Sequence, residues 1–445
     1  MHRNIPQTIR AGASKVSKNK FSPNICIYSI ALFGLITASV VEADEVIKKG
    51  ELLNMDTCIG IALEKQPNIV AAKSTVNVNQ SRVGQAKANY YPQVDLTSGY
   101  SRTSPVSRTE HSSSDQYTGS ANLKQNIYDF GKTSTQVNIQ NLNLDSSKSD
   151  LANVTAQIIL NVKQSYYGVL AAKKNRDAAD ETVKQFQSHL EQAKGFYEVG
   201  TKPKFDVTKA EVDLSNSRLN LIKAVNAFKV AVVTLNNAIG VPDAPEYTIE
   251  DNLLFKKYEV IFEEAVDKAY KSRPDLTSLV FKREAAEKSI KLANTGYYPV
   301  VSGNAVYNRS GEKFPLGEGW NVGVALSFPL FSGFLTKYQV EEAKANLDVL
   351  KANEELLRQN IFLEIQQAYL SLKEAEERIP VAELAVKQAE ENLELANGRY
   401  AAGVGNPIEV TDAQVALITA KLSYIQALYD YKVAQATLEK AMGMK

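Results

Sequence analysis

The chain has 445 residues, yet only two cysteines, Cys26 and Cys58, and three histidines, His2, His111 and His189. Two cysteines exclude a disulfide-stapled fold and a cysteine-rich zinc site. The histidines stand far apart, without HExxH or HxH spacing, which excludes a local histidine metal site and leaves a histidine-based triad without support. Charge of one sign is also missing, with 51 Lys and Arg against 50 Asp and Glu. Five of the basic residues and one of the acidic fall within residues 1–43, so the remainder is slightly acidic. That argues against a general nucleic-acid binder, which needs a basic face to hold phosphates. No GxSxG nucleophile motif occurs. Gly131-Lys132-Thr133 lies between a strand and a helix like a phosphate-binding loop, but Asn126 stands where that motif requires glycine. Gly403-Val404-Gly405 lacks the third glycine of a dinucleotide fingerprint and follows a helix, so it reads as a tight turn. Against these absences, 44% hydrophobic and 23% charged residues supply ample core for one large or two medium domains.

The long apolar run spans Ile25 to Val41. Lys15, Lys18 and Lys20 precede it, and Val41-Glu42-Ala43 follows with the small-x-small form of a signal-peptidase site. Residues 1–43 are therefore expected to be a removed secretory signal. A retained anchor is the alternative, at about 17 residues the lower limit for crossing a bilayer. Without a cysteine at the cleavage position, acylation is not expected, and Cys58, within a helical pattern, reads as a buried structural thiol.

The chain is written twice. Tyr90-Tyr91-Pro92 and Gln66-Pro67-Asn68 return 207 residues later as Tyr297-Tyr298-Pro299 and Arg273-Pro274-Asp275. Further on the offset becomes 203: Gln136-Val137, Asn143-Leu144-Asp145 and Val183-Lys184-Gln185 match Gln339-Val340, Asn346-Leu347-Asp348 and Val386-Lys387-Gln388. Tyr197, Gly200, Val207 and Gly240 match Tyr400, Gly403, Val410 and Gly443. The offset changes only between Pro92 and Tyr128, which places a loop there. A period of about 200 residues is too long for a solenoid and indicates a duplicated domain. The repeats are placed at 44–240 and 259–445, joined by a linker at 241–258.

Each repeat reads helix, two strands, a very long helix, a turn, and a helix. The first helix, about Met55–Asn89, ends at Tyr-Tyr-Pro, where proline forbids continuation. In Gln116–Tyr128, the positions Tyr117, Gly119, Ala121, Leu123 and Ile127 alternate with Thr118, Ser120, Asn122, Lys124 and Asn126, the period of a strand. In the second repeat Trp320, Val322, Val324, Leu326 and Phe328 share one face, while Asn321, Gly323, Ala325 and Ser327 share the other. Partner strands fall at about 93–101 and 300–308, with turn-rich loops at 102–115 and 309–319. A soluble sandwich would show the same alternation, but the export signal, the polar second face and the aromatics at the strand ends favour strands that cross a bilayer. Four strands cannot close a barrel, and open edges cannot face lipid, so the chain must oligomerise.

From Lys132 to Glu198 there is no proline, and Val137, Leu144, Leu151 and Ile158 recur every seven residues, as in a supercoiled helix. Such a helix spans about 100 Å. Val207, Leu214, Leu221, Phe228 and Leu235, and then Val410, Leu417, Tyr424, Tyr431 and Leu438, keep the same period. The shorter helices together match the long one, so stacked end to end they would line it antiparallel, giving two rod-like hairpins per chain. The expected fold is thus mainly α with transmembrane β.

These marks together resemble the TolC-type outer-membrane efflux proteins over essentially all of the mature chain. The resemblance rests on the duplication, the helix-Tyr-Tyr-Pro-strand junctions and the strand-to-helix segments Gln125-Asn126-Ile127-Tyr128-Asp129-Phe130-Gly131 and Phe328-Pro329-Leu330-Phe331-Ser332-Gly333. It also rests on the tips Tyr197-Glu198-Val199-Gly200 and Tyr400-Ala401-Ala402-Gly403. It implies a homotrimer with a shared twelve-stranded barrel and an α-helical tunnel through the periplasm. It further implies a periplasmic adaptor, an inner-membrane transporter, no cofactor and no catalysis. By resemblance, Asp206 and Tyr400 are a latch pair at the periplasmic entrance, Glu409 and Asp412 an acidic pore ring, and Gly200, Thr201, Lys202, Gly403, Val404 and Gly405 the hairpin tips that meet the adaptor. Gly405 stands where the best-known members carry an arginine that makes a second latch, so that contact is expected to be absent. Independently of the family, Glu409 and Asp412 lie three apart on one face of a helix that starts near Pro407; carboxylates in a first turn also serve the helix dipole. The competing readings are a periplasmic coiled-coil scaffold or adaptor without a pore, which has no use for paired amphipathic strands, and an exported enzyme, which lacks a polar constellation.

Overall fold

The computed structural model describes residues 47–104 and 113–444. The expected signal at 1–43 and part of the loop at 102–115 lie outside the described residues. The elements run β1 (Leu52–Leu53), α1 (Met55–Lys65), α2 (Pro67–Lys87), β2 (Gln93–Thr103), β3 (Ser114–Tyr128), α3 (Lys132–Glu198), α4 (Lys204–Ile239) and β4 (Thr248–Ile249). They continue with α5 (Phe262–Ser272), α6 (Pro274–Asn294), β5 (Val300–Gly311), β6 (Gly317–Ser327), α7 (Leu335–Ala401) and α8 (Pro407–Ala441). The duplication is therefore structural as well as sequential, and α3 and α7 are each 67 residues long, about 100 Å of helix.

One expected element is divided. The helix placed over 55–89 is two helices, α1 and α2, broken at Gln66, whose extended backbone (φ −65°, ψ 122°) satisfies the restriction that Pro67 puts on its predecessor. Pro67 then opens α2, where a missing N–H costs nothing. Arg273 and Pro274 repeat the break between α5 and α6. Each break receives the end of a tip-side helix: Gln66 Nε2 donates to the carbonyls of Asn237 and Ala238 at 2.7 and 2.9 Å, and Arg273 donates to the Ala441 carbonyl at 3.4 Å while pairing with Asp275 and Glu364. Gly240 closes α4 so tightly on this joint that a Cβ there would lie 3.0 Å from the Gln66 nitrogen. The segment after Gly240 is more than a linker. Its β4 pairs parallel with β1, Leu253 is buried, and Tyr258 N–H donates to the Tyr431 hydroxyl at 2.8 Å.

The joints fix the packing. Helices α2 and α4 line the two halves of α3, α6 and α8 line α7, and α3 also packs on α6 and α8. The main core lies where these helices meet, around Tyr166, Leu170, Leu235, Ile361, Leu372 and Tyr431. The helices at the two flanks of this array keep apolar stripes in the open. On α4 they are Val212, Leu219, Ile222, Val230 and Val233; on α7 they are Val349, Leu356, Leu363 and Leu370, spaced by sevens. Helix α7 also runs through Pro380, whose missing N–H leaves one rung out of the ladder.

The strands form one antiparallel sheet in the order β2-β3-β5-β6. Its register aligns Val94, Leu123, Ala305 and Val322 in one row and Leu96, Ala121, Tyr307 and Trp320 in the next. Between these rows, on the opposite face, run Asp95, Asn122, Val306 and Asn321, and there Thr97 and Ser120 share a 2.7 Å hydrogen bond. The apolar face is open, with Leu96 82% and Trp320 79% exposed. A bulge at Ile127 shifts the register between Asn126 and Tyr128, which the plain alternation of that segment conceals. At the sheet's helix end Tyr128 meets Phe130 edge-on, with centroids 4.7 Å apart, and Phe130 stacks on Tyr298 at 5.5 Å. Asp129 caps α3 by accepting from the Gly131 and Thr133 N–H groups.

Candidate functional site

The two hairpin turns, 199–203 between α3 and α4 and 402–406 between α7 and α8, lie at the ends of the long helices away from the sheet. Each turn closes on the helix before it. Thr201 N–H and its hydroxyl both donate to the Phe196 carbonyl at 2.9 Å, and Val404 and Gly405 N–H donate to the Arg399 carbonyl at 3.1 and 2.9 Å. Gly200 and Gly403 take the left-handed conformation that reverses the chain. Asn406 caps α8 through the Ile408 N–H at 3.0 Å.

The expected latch residues, Asp206 and Tyr400, are both buried. The Asp206 carboxylate of α4 lies close enough to the Tyr400 phenol to act on its charge, although the hydroxyl makes no hydrogen bond to a described residue. Burial first and the Asp206 carboxylate second push the Tyr400 phenol up to about 12. The surroundings extend this pair into a cluster between the hairpins. His189 of α3, 4% exposed, lies 5.0 Å from Tyr400 ring to ring, and Phe196 lies 5.6 Å away edge-on. Asp213, one heptad beyond Asp206, accepts from the Thr411 hydroxyl of α8 at 2.8 Å and from Lys209 at 2.6 Å. His189 Nδ1 and Gln414 Oε1 join the Tyr400 hydroxyl as buried polar atoms without a partner among the described residues. Burial holds the imidazole below its ordinary pKa, against the pull of Asp213 and Asp206 and with the help of Lys209.

Of the six tip residues, Gly200, Thr201, Gly403 and Val404 are exposed, whereas Gly405 is buried and Lys202 half-buried. Those two face the seam between the hairpins: Lys202 Nζ donates to the Gly405 carbonyl at 3.2 Å. A Cβ on Gly405 would lie 2.7 Å from the Tyr400 nitrogen, so the turn excludes a side chain, and with it the arginine of the second latch, at this position. Glu409 and Asp412 are exposed on α8, turned away from its buried Val410, Ala413 and Leu417. Glu409 pairs with Arg399 at 3.2 Å. His189, Asp213 and Thr411 escaped the sequence reading, and Lys202 entered it only as a tip residue meeting the adaptor, not as a contact between the hairpins. Only the heptad spacing of Asp206 and Asp213, each beside an apolar heptad position, signalled any of them.

A sheet apolar on one face and polar on the other, continuous with helical hairpins about 100 Å long that end in a polar seam, defines a membrane-channel protein with a long helical extension. The family model described as outer membrane efflux protein matches residues 58–241 and 265–444. The chain belongs to the outer membrane efflux protein family, and it is an outer-membrane channel of the efflux and secretion type. It is 22% identical to the outer membrane protein TolC of Vibrio cholerae over 396 residues, covering 86% of this chain and 89% of the relative. Its fold matches that of CusC with a TM-score of 0.79 at 17% identity, over 89% of this chain and 94% of the other. It matches the CmeC outer membrane channel of Campylobacter jejuni with a TM-score of 0.76 at 19% identity, over 87% and 85%.

Proposed function

We propose that three copies of the chain close into a passive export conduit, a twelve-stranded barrel continued by a helical tunnel, whose periplasmic entrance is gated at the hairpin tips. The observation that carries this is the open sheet. Strands β2 and β6 are both edges, and an unpaired backbone group in hydrocarbon costs several kcal/mol. The four strands alternate in direction, so β6 of one copy meets β2 of the next antiparallel. Two copies would give eight strands, a barrel filled by its own side chains. Twelve is the smallest multiple of four that leaves a lumen, with the Leu96–Trp320 face on lipid and the Asp95–Asn321 face on water. The stripes of α4 and α7, at opposite flanks of the helical array, supply the matching seam between copies.

Within this reading Asp206 and Tyr400 latch the tips, and exposed Gly200, Thr201, Gly403 and Val404 meet a periplasmic adaptor that couples the conduit to an inner-membrane transporter and opens it. Glu409 and Asp412 of three subunits form an acidic ring, which favours cations in a narrow pore. Purified protein is expected to run as a trimer on unheated detergent gels and to form cation-selective channels in planar bilayers. Converting Glu409→Gln and Asp412→Asn should lower that selectivity and relieve block by multivalent cations. Unchanged selectivity would remove the ring, and a stable monomer soluble without detergent would remove the conduit.

A further inference from the structure

We propose that Lys202 is the positioning residue that clips the two hairpin tips of one protomer together; this rests on the reading of the tips as a gate. Lys202 and Gly405 occupy equivalent places in the two repeats, 203 residues apart, and they have diverged in complementary ways. The first turn carries a long flexible cation there. The second carries no side chain and can carry none, because a Cβ would lie 2.7 Å from the Tyr400 nitrogen and 2.9 Å from the Arg399 carbonyl carbon. The Gly405 carbonyl is therefore left bare toward the first turn, and the Lys202 ammonium donates to it at 3.2 Å. The same ammonium lies 5.3 Å from the centroid of the Tyr400 ring, which is fully buried, so the lysine caps the latch tyrosine as well as reaching past it.

The neighbours do not share this role. The Thr201 hydroxyl turns back to its own helix, Pro203 and Lys204 are exposed, and Arg399 pairs within its own hairpin with Glu409. Among the described residues Lys202 makes the hydrogen bond that joins the two turns. The next bond between the hairpins in this region, from Thr411 to Asp213, lies about two helical turns deeper. Parting the tips must therefore break the Lys202 contact first, and three subunits would place three such clips around the entrance.

The test uses the detergent-purified full-length channel, with spin labels on T201C and V404C, both exposed, in trimers diluted with unlabelled protomer. Of the two native cysteines, Cys58 is fully buried and escapes labelling, and Cys26, within the expected signal at 1–43, is replaced by serine so that any retained copy stays unlabelled. In K202M the distance distribution between the tips should broaden and lengthen, while K202R, which keeps a donor for the Gly405 carbonyl, should keep the wild-type distribution. Single-channel conductance in planar bilayers should rise several-fold in K202M and stay near wild type in K202R. An unchanged distribution in K202M overturns the clip, whatever the conductance. A broadened distribution with unchanged conductance upholds the clip and overturns the gate on which it was placed. If K202M yields no trimer, K202A is read in the same way against the same expectations.

Discussion

His189 is the group through which acid is expected to act on the hairpin seam. Its imidazole is buried on α3 and faces Asp206, Lys209 and Asp213 from α4 and Tyr400 from α7, while α8 contributes the uncharged Thr411 and Gln414 to the same cluster. Burial lowers its pKa below the ordinary value near 6.5. Above that value the ring is neutral whether the hairpins are packed or apart, and the packing is at full strength. As pH falls through about 6.5 toward the lower packed value, the separated state takes up a proton that the packed state refuses, and the seam weakens. Channels at about pH 5 should therefore open more often, or lose their tips faster to protease, than at about pH 7.5, and H189Q should flatten that dependence. An H189Q channel with the wild-type acid response would clear His189 of the role.

At the scale of the element, the two faces of the sheet make opposite demands. Val322 lies on the open apolar face beside Trp320 and Val324, and Asn321 lies on the other. A lysine at Val322 should cost about 2–4 kcal/mol of folding stability at the bilayer midplane, read by denaturant titration of the protein in liposomes, whereas N321K should cost little. Equal costs would mean the faces are assigned the wrong way round. The elements themselves were largely legible, because periods of two and of seven each persist for many residues: β2 was expected at 93–101 and runs 93–103, and α3 has the expected ends. The breaks at Gln66 and Arg273 were hidden because apolar periodicity runs straight through them, and only the local rule about a residue before proline opposed it. The Ile127 bulge was hidden because it inserts one residue without disturbing composition. The seam was the least legible part. Asp206 and Tyr400 came through family resemblance, but Lys202 meets Gly405, and Asp213 meets Thr411, only after two hairpins about 200 residues apart in sequence have packed.

For the whole molecule, the equal lengths of α3 and α7, 67 residues each, work as a gauge. Both rods start from the same sheet, so both turns arrive at one height, and that coincidence lets Lys202 find the Gly405 carbonyl. Seven residues excised from α3 and from the facing part of α4 would withdraw the first turn by roughly 10 Å while the second stays in place. Such a channel should assemble with a staggered, leaky mouth. The same excision made in α7 and α8 as well should restore a level mouth on a shorter stalk, measurable as recovered low conductance and a reduced length in electron micrographs. If the single and paired excisions leak alike, level turns are not what seals the mouth. If the single excision alone leaks, the depth of the tunnel can change only by matched steps in both halves of the gene, so the duplication that builds the wall also restricts how its depth can evolve.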